Sequence, residues 1–270
     1  MKIAFIGAGF MGEAIIVALL KQKSARPGEI YACDIDSARL TAIGKKYKVN
    51  CASAVSKAIG NSEVIVLSVK PQSLAAVLKD LKVKLKQSQL VLSIVAGARL
   101  DTIGKGLGHE AIVRVMPNTP AQVGQGMSVW TATSAVTQAQ KDIAKTILEA
   151  MGEEIYVTDE KYIDMATAIS GSGPAYIFLI MEALTDAAVH IGLPRKTAEK
   201  LVIQTMLGSA YLSRETGKHA AELKNMVTSP GGTTAEGLLC LEKGGMRAII
   251  AQAVIAAYEK AQRLGGQSGK

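Results

Sequence analysis

A glycine-rich hexapeptide near the N-terminus constrains the fold more than any other feature of this 270-residue chain. Gly7-Ala-Gly9-Phe-Met-Gly12 has the spacing GxGxxG, directly after a β-rich apolar run and directly before an amphipathic helical run. In this context the first glycine allows a tight turn, and the second lets a pyrophosphate approach the backbone. The third lets the helix pack closely on the strand. The spacing therefore predicts a dinucleotide-binding turn with the helix N-terminus facing the phosphates.

The first 158 residues alternate short β-rich runs with helix-patterned runs. This alternation is typical of a parallel sheet with crossover helices, so we expect an α/β domain with a Rossmann-type, doubly wound, mostly parallel sheet. The predicted strands are 2–6, 29–33, 64–69, 90–94, 111–115, 127–131 and 154–157. Helices are predicted between them, most clearly over 12–23, 36–46 and 137–151.

The strand signals stop after Thr158, where long runs rich in Ala, Leu, Met and Ile begin. Helices are predicted over 174–191, 194–214 and 246–264, and Ser172 is the expected cap of the first. Because helices that are apolar on several faces need partners, a second copy of the chain is the simplest cover. We therefore expect a Rossmann domain over 1–158, then an all-helical dimerisation domain over 159–270, in a homodimer at least.

Composition narrows the classes of function. With 49% hydrophobic and 20% charged residues, the chain is typical of a well-packed soluble protein. The net charge of +8 would suit a nucleic-acid surface, but the lysines are spread over amphipathic runs and only 4% of residues are aromatic. A basic protein also attracts small anions, such as a phosphate-bearing cofactor or a carboxylate substrate. We expect no nucleic-acid partner.

Signals for export, membranes and metals are weak. The glycines of the hexapeptide interrupt the N-terminal apolar stretch where a signal peptide needs its apolar core, which predicts a cytoplasmic location. Apolar runs such as 14–20 and 176–181 are far shorter than the roughly 20 residues that span a bilayer, so no membrane partner is expected. The three cysteines and three histidines lack metal-ligand spacing, so we expect no metal site.

Asp34 ends the second predicted strand, 22 residues after Gly12. An acidic side chain there can bind the adenosine ribose hydroxyls and would repel a 2′-phosphate, which slightly favours NAD over NADP. An aspartate at a strand end is also a common helix cap. Arg39 and Lys45 could compensate the charge of a 2′-phosphate. Both cofactors, NADP and NAD, therefore stay open.

Three later strand ends point to the same rim of the sheet. Lys70 and Pro71 follow one strand, Ala96 follows the next, and Asn118 lies between two prolines after the third. In open α/β sheets, ligands bind beyond the carboxyl ends of the strands, where small residues leave room for a nicotinamide. Simple strand termination is the alternative explanation for each of them.

The segment 225–237, NMVTSPGGTTAEG, places turn residues inside the helical half. Pro230 cannot donate a backbone hydrogen bond, and the two glycines after it tolerate unusual backbone angles. Thr233-Thr-Ala-Glu236 matches the capping box S/T-x-x-E, so one interpretation is that the loop starts a helix capped by Thr233. A ligand-binding loop is the other interpretation. Both hold together if the Thr234 hydroxyl is left to face a ligand.

Five motifs are spread over the chain: FIGAGFMGEAI (5–15), SVKP (68–71), VRVMPNTPAQVGQGM (113–127), SGSGPAYIF (170–178) and LKNMVTSPGGTTAEGL (223–238). Together they resemble the pyrroline-5-carboxylate reductase family over practically the whole length. The resemblance implies reduction of the cyclic imine Δ1-pyrroline-5-carboxylate to L-proline with NADPH or NADH, the last step of proline biosynthesis. It also implies helical domains that interlock between two subunits, with the active site shared between them.

The resemblance also implies roles for particular residues. The hydroxyl of Thr234 reaches the ring nitrogen of the substrate, which makes Thr234 the candidate catalytic residue. The candidate substrate-binding residues are Ser229, Gly231, Gly232, Thr233 and Thr234: the resemblance gives the two threonines, and the turn before them adds backbone N–H donors for a carboxylate. Motif spacing and resemblance together give a cofactor-binding set of Ile6, Gly7, Ala8, Gly9, Phe10, Met11, Gly12, Asp34, Val69, Lys70, Pro71, Ala96 and Asn118.

Many NADP-using members of this family carry Ser, Thr or Arg where this chain has Asp34, which puts the usual NADPH preference in doubt.

Two alternative functions remain open. A β-hydroxyacid dehydrogenase-like reductase would share the Rossmann start and would use Lys196 or Lys200, but it leaves SPGGTT unexplained. A non-enzymatic dinucleotide-binding module would account for the glycine loop and the positive charge.

Overall fold

The computed structural model describes residues 1–266 and consists of two compact units. The first unit is Met1–Ser172 together with the described chain end from Ala256, and the second is Gly173–Ile255. The strands are β1 Ile3–Ile6, β2 Ile30–Cys33, β3 Asn50–Ala52, β4 Val64–Leu67, β5 Leu90–Ser93, β6 Ile112–Met116, β7 Gly126–Ala132 and β8 Gly152–Tyr156. The helices are α1 Phe10–Lys21, α2 Ser37–Tyr47, α3 Val55–Ile59, α4 Pro71–Leu81, α5 Leu100–Leu107, α6 Gln138–Glu149, α7 Lys161–Ala166, α8 Gly173–His190, α9 Arg195–Thr216, α10 Ala220–Met226, α11 Thr233–Lys243 and α12 Met246–Leu264.

The strands form one eight-stranded sheet in the order β3-β2-β1-β4-β5-β6-β7-β8. Neighbouring strands are parallel throughout, except that β7 runs antiparallel to β6. The central strands β1, β4 and β5 are buried along their whole length, and accordingly their sequences, IAFI, VIVL and LVLS, do not alternate and are apolar except for Ser93 at the end of β5. The predicted doubly wound, mostly parallel sheet followed by a helical region is confirmed.

One strand escaped the sequence analysis. β3 has only three residues, pairs with β2 at the edge of the sheet, and exposes both Asn50 and Cys51. A short edge strand carries neither a continuous apolar run nor a full alternation. Its pattern therefore could not be distinguished from a loop.

The helix predicted to begin at Pro174 begins earlier. α7 continues through a π-helical turn, Thr167–Gly171, directly into α8. The backbone N–H of Ser172 donates to the carbonyl of Thr167 at 2.8 Å, so Ser172 lies inside the helix and the expected cap is wrong. The missing N–H of Pro174 falls beside this irregular turn, where the regular ladder is already interrupted.

The continuous helix Lys161–His190 is, by length and composition alone, long and apolar enough to cross a membrane. Only continuous apolar runs were compared with a bilayer span from the sequence, and a helix of this length that also contains polar residues was not among them. Length and composition are weak criteria, because apolar helices of soluble proteins satisfy them too.

The second unit consists of helices that bury few of their own side chains. Thr185 is the buried residue of α8, Ala198 and Val202 are those of α9, and none is buried in α10 or α11. Large apolar side chains are exposed along the same helices, among them Phe178, Leu179, Leu201, Leu207 and Tyr211. The apolar surface of these helices is therefore not covered by the described chain itself.

Candidate active site

The loops that follow five neighbouring parallel strands, β2, β1, β4, β5 and β6, emerge at one edge of the sheet. The predicted cofactor-binding residues lie in these loops, at the strand end before them or in the first turn of the helices that follow them. In an open α/β sheet this carboxyl edge is where ligands bind, and the strand order reverses next to β1 and β4. The sheet topology thus brings the predicted cofactor residues to a single rim.

Three positions of the hexapeptide carry glycine, for different structural reasons. Gly7 has φ +99°, and a Cβ there would lie 2.7 Å from the backbone of Ser68. A Cβ on Gly12 would lie 2.5 Å from the Gly7 carbonyl oxygen, whereas a Cβ on Gly9 would meet nothing within 4 Å. Packing therefore demands glycine at positions 7 and 12. At Gly9 it does not, and the open space lies where a pyrophosphate would approach the backbone.

Ser68 supports the glycine loop and was missed by the sequence analysis. Its hydroxyl donates to the Gly7 carbonyl at 2.6 Å, while the Gly7 N–H donates to the Cys33 carbonyl at 2.8 Å. The turn after β1 is thus held by the ends of both neighbouring strands. The available signal was the serine that opens SVKP, a polar residue directly after an apolar strand.

Asp34 binds the glycine loop directly. Its Oδ2 accepts the backbone N–H of Ala8 at 2.7 Å, and its Oδ1 accepts the N–H of Asp36 at 3.0 Å. The cap of α2 is Asp36, whose carboxylate accepts the Arg39 backbone N–H at 3.0 Å. The helix-cap interpretation of Asp34 is therefore wrong, and its half-buried carboxylate stands at the strand end where an adenosine ribose would lie.

The Arg39 side chain is occupied instead of being free to meet a phosphate. Its Nε donates to the Ala8 carbonyl at 2.9 Å, and its Nη2 forms an ion pair with Glu13. Lys45, the other residue expected to compensate a phosphate, is exposed on α2. The two peptide groups that flank Ala8 are thus both held, its N–H by Asp34 and its carbonyl by Arg39.

Glu13 connects α1 to α2. Its Oε1 accepts the Tyr47 hydroxyl at 2.5 Å and lies 3.3 Å from the Lys46 ammonium. The hydrogen bond from Tyr47 is the main reason why the pKa of the Glu13 carboxyl is lowered, with Lys46 and Arg39 adding to it. Burial, followed by the contact with Glu13, raises the pKa of Tyr47. Glu13 is therefore a charged, fully paired carboxylate at neutral pH.

The loops expected on the nicotinamide side are rigidly built. Lys70 occupies the N-cap position of α4 and Pro71 its first turn, so the strand stop is also a helix start. Ala96 is half-buried directly before Gly97, whose φ is +74°. The side-chain oxygen of Asn118 accepts the Met127 N–H at 2.8 Å, which fixes the loop and leaves the amide NH2 group as a donor.

The threonine loop lies in the second unit, where α11 begins at Thr233. The N-cap is Gly232, in an extended conformation, and no side chain caps the helix. Glu236 is then the fourth helical residue, one position too late for a capping box, so the predicted capping role of Thr233 is wrong. In the described part of the chain neither Thr233 nor Thr234 has a hydrogen-bond partner for its hydroxyl.

The start of α11 offers a concentration of donors. Gly231 has φ +68°, and Gly232 donates its N–H to the Ser229 carbonyl at 3.1 Å, which shapes a tight turn before the helix. A Cβ on Gly232 would collide with the Ser229 hydroxyl. The first amides of a helix have no partners within the helix, and its dipole favours an anion. The loop therefore presents two hydroxyls and free amides, which suits a small carboxylate.

Within residues 1–266 no group of three or more His, Cys, Asp or Glu side chains is placed to hold a metal ion. The chemistry available at the rim and at the threonine loop is that of backbone donors, hydroxyls, an amide, the Asp34 carboxylate and the Lys70 ammonium. Such groups orient a substrate and a cofactor without acting as strong acids or bases.

Two family models match the chain. The model described as pyrroline-5-carboxylate reductase dimerisation matches residues 160–264, and the model described as NADP oxidoreductase, coenzyme F420-dependent, matches residues 2–97. Among curated proteins, the pyrroline-5-carboxylate reductase of Synechocystis sp. is 45% identical over 98% of both chains. That of Arabidopsis thaliana is 40% identical over 97% of this chain and 95% of its own.

Solved structures give the same result. The pyrroline-5-carboxylate reductase of Coxiella burnetii superposes with a TM-score of 0.89 at 39% identity, covering 97% of this chain and 98% of that one. The Plasmodium falciparum enzyme, solved with NADP bound, has a TM-score of 0.90 at 33% identity and covers 98% of both chains. Because relatives of this identity align over nearly the full length of both partners, the chain belongs to the pyrroline-5-carboxylate reductase family.

Proposed function

We propose that this chain reduces Δ1-pyrroline-5-carboxylate to L-proline, with a nicotinamide dinucleotide bound along the rim of the sheet and the imine held by the threonine loop. Family membership makes the chain an NAD(P)H-dependent oxidoreductase of proline biosynthesis. The observation that carries the site assignment is the glycine loop, in which Gly7 and Gly12 are fixed by packing and Gly9 alone faces open space.

The residues around the loop fit a dinucleotide. The space beside Gly9 admits a pyrophosphate, the N-terminus of α1 favours its charge, and Asp34 stands where ribose hydroxyls would donate. The proposed holders are Ile6, Gly7, Ala8, Gly9, Phe10, Met11, Gly12, Asp34, Val69, Lys70, Pro71, Ala96 and Asn118. When bound, the reduced nicotinamide supplies the hydride.

The threonine loop orients the substrate. The amides at the start of α11 and the turn of Ser229, Gly231 and Gly232 would bind the carboxylate. Thr234, which is half-buried, would place its hydroxyl against the ring nitrogen, and the exposed Thr233 would add a second hydroxyl. A protonated cyclic imine is already electrophilic, so these residues need only orient it and exclude competing water.

The cofactor preference proposed here is a slight one for NAD over NADP. A 2′-phosphate beside Asp34 would meet its carboxylate, and Arg39 is occupied by Glu13 and Ala8. Both features weigh against a 2′-phosphate. The Plasmodium falciparum relative was solved with NADP bound, which describes the cofactor of that relative and not the preference of this chain.

The active assembly is proposed to be at least a homodimer, with the helical part, residues 159–270, covered by a second copy. The support is the uncovered apolar surface of α8 and α9 and the dimerisation model that matches residues 160–264. A cytoplasmic location and the absence of nucleic-acid and membrane partners are part of the same proposal.

Steady-state oxidation of NADH and of NADPH, followed by the loss of the absorbance of the reduced nicotinamide, tests the proposal. Turnover is expected with pyrroline-5-carboxylate and not with β-hydroxyacids run in the oxidative direction. Turnover with a β-hydroxyacid that is lost in Lys196→Ala or Lys200→Ala would favour the dehydrogenase alternative. Dinucleotide binding without any turnover would favour the binding module.

A further inference from the structure

Glu13 lies in the first turn of α1, which is the helix end that faces the pyrophosphate in the proposed function. An unpaired carboxylate there would repel the phosphates. Its side chain is only 21% exposed, and both oxygens are engaged by residues of α2: Oε2 by Arg39, and Oε1 by Tyr47 and Lys46. The carboxylate is thus neutralised by α2 and at the same time restrains the cations of α2.

Arg39 is the cation that matters at this position. Its Nε binds the carbonyl of Ala8, whose N–H binds Asp34, so the guanidinium lies next to the peptide that faces the expected ribose. The Arg39 side chain is 35% exposed and reaches solvent from there. A guanidinium recognises phosphate through a fork of two parallel N–H donors. In this structure one such edge of the guanidinium, formed by Nε and Nη2, is engaged, because Nε is bound to Ala8 and Nη2 to Glu13.

We propose that Glu13 is a specificity-determining residue, which lowers the affinity for a 2′-phosphorylated cofactor by keeping Nη2 of Arg39 paired, so that the guanidinium does not turn its Nε–Nη2 edge toward a 2′-phosphate. This inference rests on the proposed function, because it assigns the adenosine end of the cofactor to the space beside Asp34. It adds a second determinant to the direct repulsion by Asp34. The cation able to offset that repulsion is present in the chain but is held by Glu13.

Binding of two nicotinamide-free probes separates this role from catalysis. Isothermal titration calorimetry with adenosine 2′,5′-bisphosphate and with AMP reports on the 2′-phosphate alone. Glu13→Gln should tighten adenosine 2′,5′-bisphosphate by roughly tenfold, since a charged hydrogen bond becomes available. The affinity for AMP should change less than about twofold, because the loss of one partly exposed charge alone has a small effect on a binding free energy.

Two further variants identify the cause. Glu29→Gln removes a carboxylate of the same 21% exposure, which is paired with Arg26 and the N-terminal amine outside the glycine loop, and should change neither affinity. The double variant Glu13→Gln/Arg39→Met should lose the gain seen in Glu13→Gln. Turnover with NADPH relative to NADH should rise in Glu13→Gln by the same factor.

The possible outcomes are distinguishable. If AMP binds but Glu13→Gln leaves the ratio of the two affinities unchanged, the role of Glu13 is wrong and the proposed function stands. The role is equally wrong if the double variant keeps the gain, because the effect would then come from lost negative charge alone. If the folded wild type binds neither probe, the proposed cofactor site and the role of Glu13 both fail.

Discussion

The guanidinium of Arg114, on β6, and the carboxylate of Asp164, on α7, form a buried ion pair with 2.6 Å between Nη2 and Oδ1. Their side chains are 3% and 4% exposed. Arg114 also binds Glu160 at 2.8 Å, and Glu160 accepts the backbone N–H of Leu100 at 2.8 Å. One arginine therefore fixes the start of the long helix to the sheet and, through Glu160, to the start of α5.

Asp164→Ala should destabilise the protein by about 3–5 kcal/mol, because it leaves a buried guanidinium without one of its partners. Urea unfolding followed by circular dichroism measures the change. Replacing the pair by apolar groups, as in Arg114→Met/Asp164→Leu, should cost less than Asp164→Ala alone. A loss below about 1 kcal/mol in Asp164→Ala would mean that water or Glu160 already satisfies the arginine.

Gly9→Ala and Gly7→Ala should separate binding from folding. A Cβ on Gly9 meets no protein atom within 4 Å, so its stability should stay within about 0.5 kcal/mol while the cofactor KM rises on the order of tenfold. Gly7→Ala combines φ +99° with a backbone clash at 2.7 Å and should lose roughly 2 kcal/mol of stability. Thermal melts and initial-rate kinetics on both variants check this. An unchanged cofactor KM in Gly9→Ala would place the pyrophosphate elsewhere.

Thr234→Ala should lower kcat/KM for the imine on the order of a hundredfold while the variant still assembles, because the hydroxyl is proposed to bind the reacting nitrogen. Thr234→Ser keeps the hydroxyl and should recover most of the activity. Thr233→Ala is the neighbouring comparison, expected to have the smaller effect. Near wild-type kcat/KM in Thr234→Ala would remove Thr234 from the mechanism.

Glu13 should make folding stability fall in acid. Its pKa is lowered below the ordinary 4.5 in the folded protein, so its contribution is complete above about pH 4.5 and is lost as the pH falls further. Glu13→Gln should therefore flatten the stability curve below pH 5, as measured by urea midpoints. Tyr47→Phe removes the largest cause of the shift and should flatten it partly. If the stability of Glu13→Gln fell below pH 5 as steeply as that of the wild type, this role of Glu13 would be contradicted.

Val83, in the loop after α4, has a strained backbone conformation. It has φ +57°, a left-handed conformation that β-branched residues rarely adopt, and its side chain is 87% exposed. Val83→Asn should stabilise the protein by about 1 kcal/mol, because asparagine tolerates this conformation. Val123→Asn is the matched control, exposed at 68% and without a positive φ. An equal gain in both variants would point to lost surface hydrophobicity as the cause.

The sheet could be predicted because its strands are buried on both faces, so that their continuous apolar runs stand out between helical patterns. The glycine loop could be predicted because the GxGxxG spacing stands between a strand pattern and a helix pattern, and its first and third glycines answer a steric demand. β3 could not be predicted, because an edge strand of three residues is too short to show an alternation of apolar and polar side chains. Pro174 was misleading because proline suits a helix start and an irregular helical turn alike.

The contacts around the site were harder to foresee. Asp34 was singled out by its distance from Gly12, but its hydrogen bond to the Ala8 N–H depends on how far the two neighbouring strands extend relative to one another. The capping box at Thr233 failed because the turn of Gly231 and Gly232 lets the helix start one residue earlier than the side-chain pattern requires. Glu13 and Arg39 lie 26 residues apart, and only the packing of α1 on α2 reveals their pairing.

Three backbone groups of the glycine loop are restrained before any ligand arrives. Asp34 binds the N–H of Ala8, Arg39 binds its carbonyl, and Ser68 binds the carbonyl of Gly7. The loop is therefore ordered during folding, and binding need not bear that entropic cost again. Dinucleotide association should then be a single fast phase whose rate is set by diffusion and orientation, without a slow step in which the loop rearranges.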